Sequence, residues 1–201
     1  MKIYQHYSLY GFSNVYLVGD DDRKEALVID PAEMNASLLG HIEKNGYALK
    51  AVFITHNHNH HVRGLKTLLK IYDARVYAAN AQVGGFPCTP LRDGDRVETC
   101  GFSVDVYSVP GHSPDSLVFR IDGALFTGDA LHAGLIGKTL SGYNAVTLAE
   151  RLKSKLLDQA DEYIILPGHG PPSTVGTERS FNVGFEPGYE KRTSARYDFF
   201  V

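Results

Sequence analysis

Cysteine is scarce in this 201-residue chain: Cys88 and Cys100 are its two examples, and no CxxC spacing occurs. That excludes a disulfide framework and a paired-thiol metal or redox motif, and it leaves both as small core residues rather than ligands or nucleophiles. An excess of one charge is also missing. Lys and Arg number 20 against 23 Asp and Glu, a formal net charge of −3, so there is no electrostatic footprint for nucleic acid or an acidic membrane. No apolar run reaches the roughly 18 residues needed to span a bilayer. The opening MKIYQHYSLYGFSNVYLVG has neither the basic start nor the unbroken apolar core of a signal peptide. The expectations are a small-molecule substrate, no nucleic-acid or membrane partner, and a reducing, cytoplasmic compartment. Oligomeric state is not legible. With 43% hydrophobic residues, no internal repeat and no low-complexity linker, residues 1–201 read as a single domain with an ample core.

Histidine is what the chain has in unusual concentration. There are nine, and His56, His58, His60 and His61 fall within six positions. Side by side, protonated imidazoles repel one another, and buried neutral ones each need a partner. Such clustering needs a counterpart that satisfies several lone pairs together.

The surroundings of the cluster read as alternating strands and helices. Strand patterning predicts Lys2–Tyr7, Asn14–Val18 and Ala26–Asp30, with Asp20-Asp21-Asp22 as a turn. Leu38, Leu39 and Ile42 predict a helix stopped by Gly46. Ala51–Ile54 is a short apolar run of the buried-strand type that leads straight into the histidines. Val62, Leu65, Leu68, Leu69 and Tyr72 then repeat at helical spacing, so the cluster sits in a strand-to-helix loop. Gly84-Gly85-Phe86-Pro87 reads as a loop. Further strands are predicted at 74–78, 96–99, 102–109, 117–121, 124–127 and 163–166, and a helix at 145–157. Residues 171–201, rich in Gly, Pro, Ser and Thr, read as an extended arm with at most one short helix.

In extended chain, residues two apart point the same way, so His56 and His58 can face one ion as a pair. Where the chain turns into its helix, His60 and His61 can face another position. One loop supplies too few ligands, and three more ligand-type residues follow apolar strands: His112 in Val-Pro-Gly-His-Ser, Asp129 in Phe-Thr-Gly-Asp, and His169 in Leu-Pro-Gly-His-Gly. Each stands directly after a glycine, which permits a sharp turn into a shared cleft. A lone His or Asp after Gly is ordinarily a loop or capping residue. Coincidence with a four-histidine loop is what points to metal. Imidazole with carboxylate suits zinc, iron or manganese, zinc being the commonest.

These motifs resemble the metallo-β-lactamase superfamily along almost the whole chain. That family's marker is His-x-His-x-Asp-His after a strand, and Thr55–Gly64 (THNHNHHVRG) is similar at every marker position but one. Gly-His-Ser-Pro-Asp-Ser at 111–116, Phe-Thr-Gly-Asp-Ala-Leu at 126–131 and Pro-Gly-His-Gly at 167–170 resemble the later motifs in order and spacing. Residues 171–179 resemble the C-terminal segment of the small glyoxalase II-like branch. The resemblance implies an α/β fold of the four-layer αβ/βα sandwich type, with a metal centre at one edge of its two sheets. It implies that His56, His58 and His112 hold a first metal, that His61 and His169 hold a second, and that Asp129 bridges them. The mechanism implied is attack by a metal-bound hydroxide on a carbonyl, with one or two zinc ions, or iron or manganese, as cofactor.

His60 stands where the family has Asp, the residue that ligates the second metal and orients the attacking water. His60 and Asp129 are therefore the candidate catalytic residues, and three outcomes are open for His60. It ligates the second metal as a neutral substitute; it swings away and leaves one metal on His56, His58, His112 and Asp129; or metal binds but turnover is poor. His132, three residues after Asp129, reads as a residue behind the ligands or at the surface.

A length of 201 residues predicts no separate C-terminal helical domain of the kind with which full-length glyoxalase II enzymes help bind glutathione. Lys138 resembles the lysine those enzymes use for the thiol's carboxylate. Leu140 replaces a neighbouring aromatic, for which Tyr143 partly compensates. The leading expectation is hydrolysis of a small thioester such as an S-acyl glutathione. The runner-up is a one-iron sulfur (persulfide) dioxygenase, and outside catalysis a metal-binding but inactive relative. Nuclease and β-lactamase activities fit less well, for want of a basic patch and of an export signal.

Overall fold

The computed structural model describes residues 1–186, 188 and 189. In the first half, β1 (Lys2–Tyr7), β2 (Asn14–Asp20) and β3 (Glu25–Ile29) form an antiparallel meander. Helix α1 (Ala36–Asn45) opens on Asn35, whose side chain accepts from Leu38 N at 2.9 Å, and it ends at Gly46 in the left-handed conformation. It returns the chain so that β4 (Ala48–Phe53) lies parallel to β3. Helices α2 (Asn59–Val62) and α3 (Leu65–Ile71) lead to β5 (Arg75–Ala78), parallel to β4. The Gly84-Gly85 loop is the turn of a small hairpin, β6 (Gln82–Val83) and β7 (Phe86–Pro87), and β8 (Thr89–Pro90) completes a six-stranded sheet of order β1-β2-β3-β4-β5-β8.

The second half mirrors this plan. Strands β9 (Arg96–Thr99), β10 (Phe102–Ser108), β11 (Leu117–Ile121) and β12 (Ala124–Gly128) run antiparallel. A hairpin, β13 (Leu131–His132) and β14 (Leu135–Ile136), precedes α4 (Gly142–Lys155). Strand β15 (Ile164–Pro167) returns parallel to β12. Strand β16 (Ser173–Thr174) closes the second sheet, β16-β15-β12-β11-β10-β9, before α5 (Val175–Phe181).

The alternation of apolar side chains sets the layers. Tyr16, Leu27 and Phe53 of the first sheet meet Val104, Phe119 and Phe126 of the second in one buried cluster. The outer face of the first sheet is covered by Leu38, Ile42, Leu65 and Leu68 of the helices, and that of the second by Leu148, Leu152 and Val175. This is the expected αβ/βα sandwich, and each large side chain fully buried between layers contributes roughly 1.5–3 kcal/mol.

Two expectations are corrected. Helix α4 begins three residues early because Ser141 accepts from Asn144 N at 3.2 Å and starts the first turn ahead of the apolar stripe. The described part of the expected arm is packed, not extended. It adds β16 to the sheet edge, forms α5, and then makes a 3₁₀ turn at Val183–Phe185, one helical element more than expected. Its anchors are polar, which hid them from periodicity. Buried Glu178 accepts from Gly134 N at 2.9 Å and Asn182 Nδ2 at 2.6 Å, which ties α5 to the β13–β14 hairpin. The rest of the arm, residues 187 and 190–201, lies outside the described residues. No helix among the described residues is long and apolar enough to cross a membrane.

Candidate metal centre

The C-terminal ends of four strands supply the site. Phe53 of β4 is followed by the histidine loop, Ser108 of β10 by His112, Gly128 of β12 by Asp129, and Pro167 of β15 by His169. The two sheets are stitched together at this edge: Leu117 N donates to Thr55 O at 2.8 Å, and Asn14 N to Gly168 O at 2.7 Å. Glycines allow the close approach. A side chain on Gly168 would run into Asp129 Oδ1 and the His61 ring, and Gly128, at φ +49°, abuts the Thr55 hydroxyl.

Asp129 is the hub. Its Oδ2 lies 3.3 Å from His169 Nε2, 3.6 Å from His60 Nε2, 3.7 Å from His112 Nε2 and 3.9 Å from His56 Nε2, and its Oδ1 lies 3.2 Å from His61 Nε2. His58 turns Nδ1 inward, 3.1 Å from His112 Nε2. Two sets of ligand atoms converge within 4.8 Å of one another: His56, His58, His112 and Asp129, and His56, His60, His61 and Asp129. All six histidines expected in the centre are therefore brought together with Asp129. His60 does not swing away, since its ring centroid stands 4.4 Å from that of His61 and 5.2 Å from that of His169.

Outer hydrogen bonds aim the rings. His112 Nδ1 donates to Lys138 O at 2.7 Å and His169 Nδ1 to Phe12 O at 2.9 Å, so each turns its Nε2 toward Asp129. Thr55 donates its hydroxyl to Asp30 Oδ2 at 2.6 Å and so accepts from His56 Nδ1 at 3.0 Å. Asp30 Oδ2 also lies 3.3 Å from His61 Nδ1. One buried carboxylate thus backs a ring in each half of the cluster.

The electrostatics leave work for a cation. Burial, with His61 and other histidines nearby, pushes His56 down to about 2, so it is neutral. Burial would also lower His61, but Asp129 and Asp30 carry it up to about 10. Burial opposes ionisation of Asp129, yet the surrounding His169, His60 and His61 hold its carboxyl well below the usual range. His56 Nε2 is buried without a hydrogen-bond partner, while His61 and Asp129 Oδ1 are buried in ion-pair contacts of 3.2–3.3 Å that no aligned hydrogen bond completes. Leaving a buried polar atom unsatisfied costs about 1–3 kcal/mol, and a metal ion satisfies these together. The donor set, imidazoles around one carboxylate, fits a divalent transition ion. This is a metal-binding cluster.

Lys138 reaches the centre through its carbonyl, while Tyr143, in the first turn of α4, is 79% exposed. His132 stands behind the ligands, its Nδ1 3.2 Å from His169 O. Sequence reasoning missed Asp30 and Thr55. The signal was present in Ala-Leu-Val-Ile-Asp, an acid at the end of a buried strand. Its backbone at φ +50°, uncommon outside glycine, marks a constrained position.

A protein-family model described as the Metallo-beta-lactamase superfamily matches residues 10–86. Hydroxyacylglutathione hydrolase GloC of Haemophilus influenzae is 30% identical over 186 residues, covering 81% of this chain and 88% of the relative. Among solved structures, ETHE1 from Myxococcus xanthus superposes with a TM-score of 0.82 at 28% identity over 90% of this chain and 83% of that one. The di-iron-bound form of TTHA1623 gives 0.73 at 29% identity over 90% and 98%. With fold, cluster and relatives in agreement, the chain belongs to the metallo-beta-lactamase superfamily and is a small member of its glyoxalase II-like group.

Proposed function

We propose that this protein is a cytoplasmic metal-dependent hydrolase of a small thioester, such as an S-acyl glutathione. The observation that carries the reading is the convergence of five imidazoles on Asp129, with His58 grouped beside them, and buried His56 Nε2 left without a hydrogen-bond partner. His56, His58 and His112 hold one ion, and His60, His61 and His169 hold a second, with Asp129 shared. Zinc is the ion expected, and the di-iron form of TTHA1623 makes iron the main rival. Bound there, a divalent cation supplies a Lewis acid for a carbonyl oxygen and lowers the pKa of water.

The chain's own groups do the rest. Thr55, Lys138 O and Phe12 O keep the ring nitrogens turned inward. Lys138 takes a carboxylate on the thiol half of the substrate, with Tyr143 beside it on α4. His60, in place of the family's Asp, removes one negative charge, so the cations are less neutralised and acidify water more strongly.

The test is elemental analysis of purified protein together with S-lactoylglutathione hydrolysis by the wild type and His60→Asp. Bound metal with no turnover by the wild type defeats the hydrolase reading. If His60→Asp then gains activity, the protein is a metal-binding relative that lost catalysis. A second reading, a one-iron persulfide dioxygenase, draws on the fact that His56, His58, His112 and Asp129 form a self-contained ligand set. One iron per chain and oxygen uptake on a persulfide would single it out.

A further inference from the structure

An open groove of about 730 Å³ is lined by His58 of the centre, and Lys138 is not among its lining residues. Beside His58 it is lined by Asn57, Leu91, Arg92, Asp115 and Leu117. The volume is that of a small-molecule site.

Its carboxylates are occupied, and two of its donors are not. Asp93 on the rim pairs with Lys155 Nζ at 2.6 Å and accepts from Ser108 N at 2.8 Å. Asp115 accepts from Ser113 Oγ at 2.8 Å, Asn57 N at 3.0 Å and Asn80 Nδ2 at 3.3 Å. Among the described residues, the guanidinium of exposed Arg92 and the side-chain amide of exposed Asn57 enter no hydrogen bond or ion pair. A ligand lying in the groove therefore meets unengaged donors, one of them a planar fork suited to a carboxylate.

We infer that Arg92 sets specificity for substrates whose acyl half ends in an anion, a carboxylate held in the groove while the thioester carbonyl lies at the centre. This rests on the thioester reading above and extends it to the half of the substrate that Lys138 does not reach.

The experiment uses S-acyl N-acetylcysteamines, whose thiol half carries no charge. Chains from succinyl to adipoyl ending in carboxylate are compared with the same chains ending in carboxamide. For at least one chain length the wild type should favour the carboxylate by about tenfold or more in kcat/KM, the effect of one charged hydrogen bond. Arg92→Gln should bring that ratio to near one at unchanged metal content, and Arg92→Lys should keep part of it. No carboxylate preference at any length, or a preference that survives Arg92→Gln, overturns the assignment. Turnover of none of these thioesters and none of S-lactoylglutathione sinks the thioester reading instead. The groove is then judged by Kd values for the matching non-hydrolysable thioethers: a carboxylate preference lost in Arg92→Gln sustains it, and equal binding of both ends overturns it.

Discussion

The two halves of the centre are built to one plan. Each has a deeply buried ring tied to Asp30, which is His56 through Thr55 in one half and His61 directly in the other. Each has a ring anchored on a main-chain carbonyl, His112 on Lys138 and His169 on Phe12. Each has a more open ring, His58 or His60, with no such anchor. The halves differ in who supplies the carbonyl. Lys138 lies in the same half of the chain as His112, whereas Phe12 reaches His169 across 157 positions. The half around His60 also leans on a loop, for Ser13 Oγ donates to His60 O at 2.7 Å and Gly11 at φ +67° abuts the His60 side chain. Both half-sites are thus held by strand ends plus a loop, the first through Lys138 and the second through Gly11, Phe12 and Ser13.

The sharpest way to erase the comparison is Asp129→Asn, which removes the shared charge. Both ions should be lost from purified protein, beyond the roughly 10–100-fold weakening expected when an outer partner is removed. Asp30→Asn comes next and should weaken both positions by about 10–100-fold, whereas Thr55→Val should weaken the His56 side alone. Competition with a chelator of known affinity reads both, and equal effects of the two variants would break the idea of a shared carboxylate. Gly11→Ala should lower the second equivalent of metal while sparing the first, because the added methyl presses on His60. Elemental analysis decides it, and loss of both equivalents would count against the division into halves.

A smaller effect is on pH. Without metal, His61 carries a proton up to about pH 10, since the carboxylates beside it raise its pKa. Metal binding must displace that proton, so apparent affinity rises as pH rises, by about tenfold per unit for each proton released below that pKa. His56, with a pKa of about 2, contributes nothing to this slope above acid pH. Calorimetry in two buffers of different ionisation heat counts the protons, and release of none refutes the charged His61. The smallest effect belongs to Lys138→Ala, a few-fold rise in KM for glutathione thioesters with metal content intact, as for an exposed ion pair.

Much of the centre is legible in the sequence, for an identifiable reason. The ligands sit at strand ends, and the runs Ala51–Ile54, Phe102–Val109, Ala124–Thr127 and Tyr163–Leu166 mark those ends in the order of residues alone. Asp30 escapes notice there because a lone acid after a strand looks like any turn residue. Only the fold brings it within reach of Thr55 and His61. The C-terminal segment reads wrongly because Glu178 and Asn182 hold it by hydrogen bonds, which leave no periodic trace. The groove toward Arg92 is likewise a product of loops meeting in space, and neither composition nor spacing announces it.

The stitch between Asn14 and the turn after β15 has a consequence for synthesis. Asn14 Nδ2 donates to Pro167 O and Gly170 O, each at 2.9 Å, and the Tyr16 hydroxyl donates to Pro167 O at 2.7 Å. As the polypeptide leaves the ribosome, the loop that steadies His60 must wait more than a hundred residues for its far anchor. The nascent chain can gather the four-histidine segment early, but the half-site around His60 closes only when residues 167–170 have emerged.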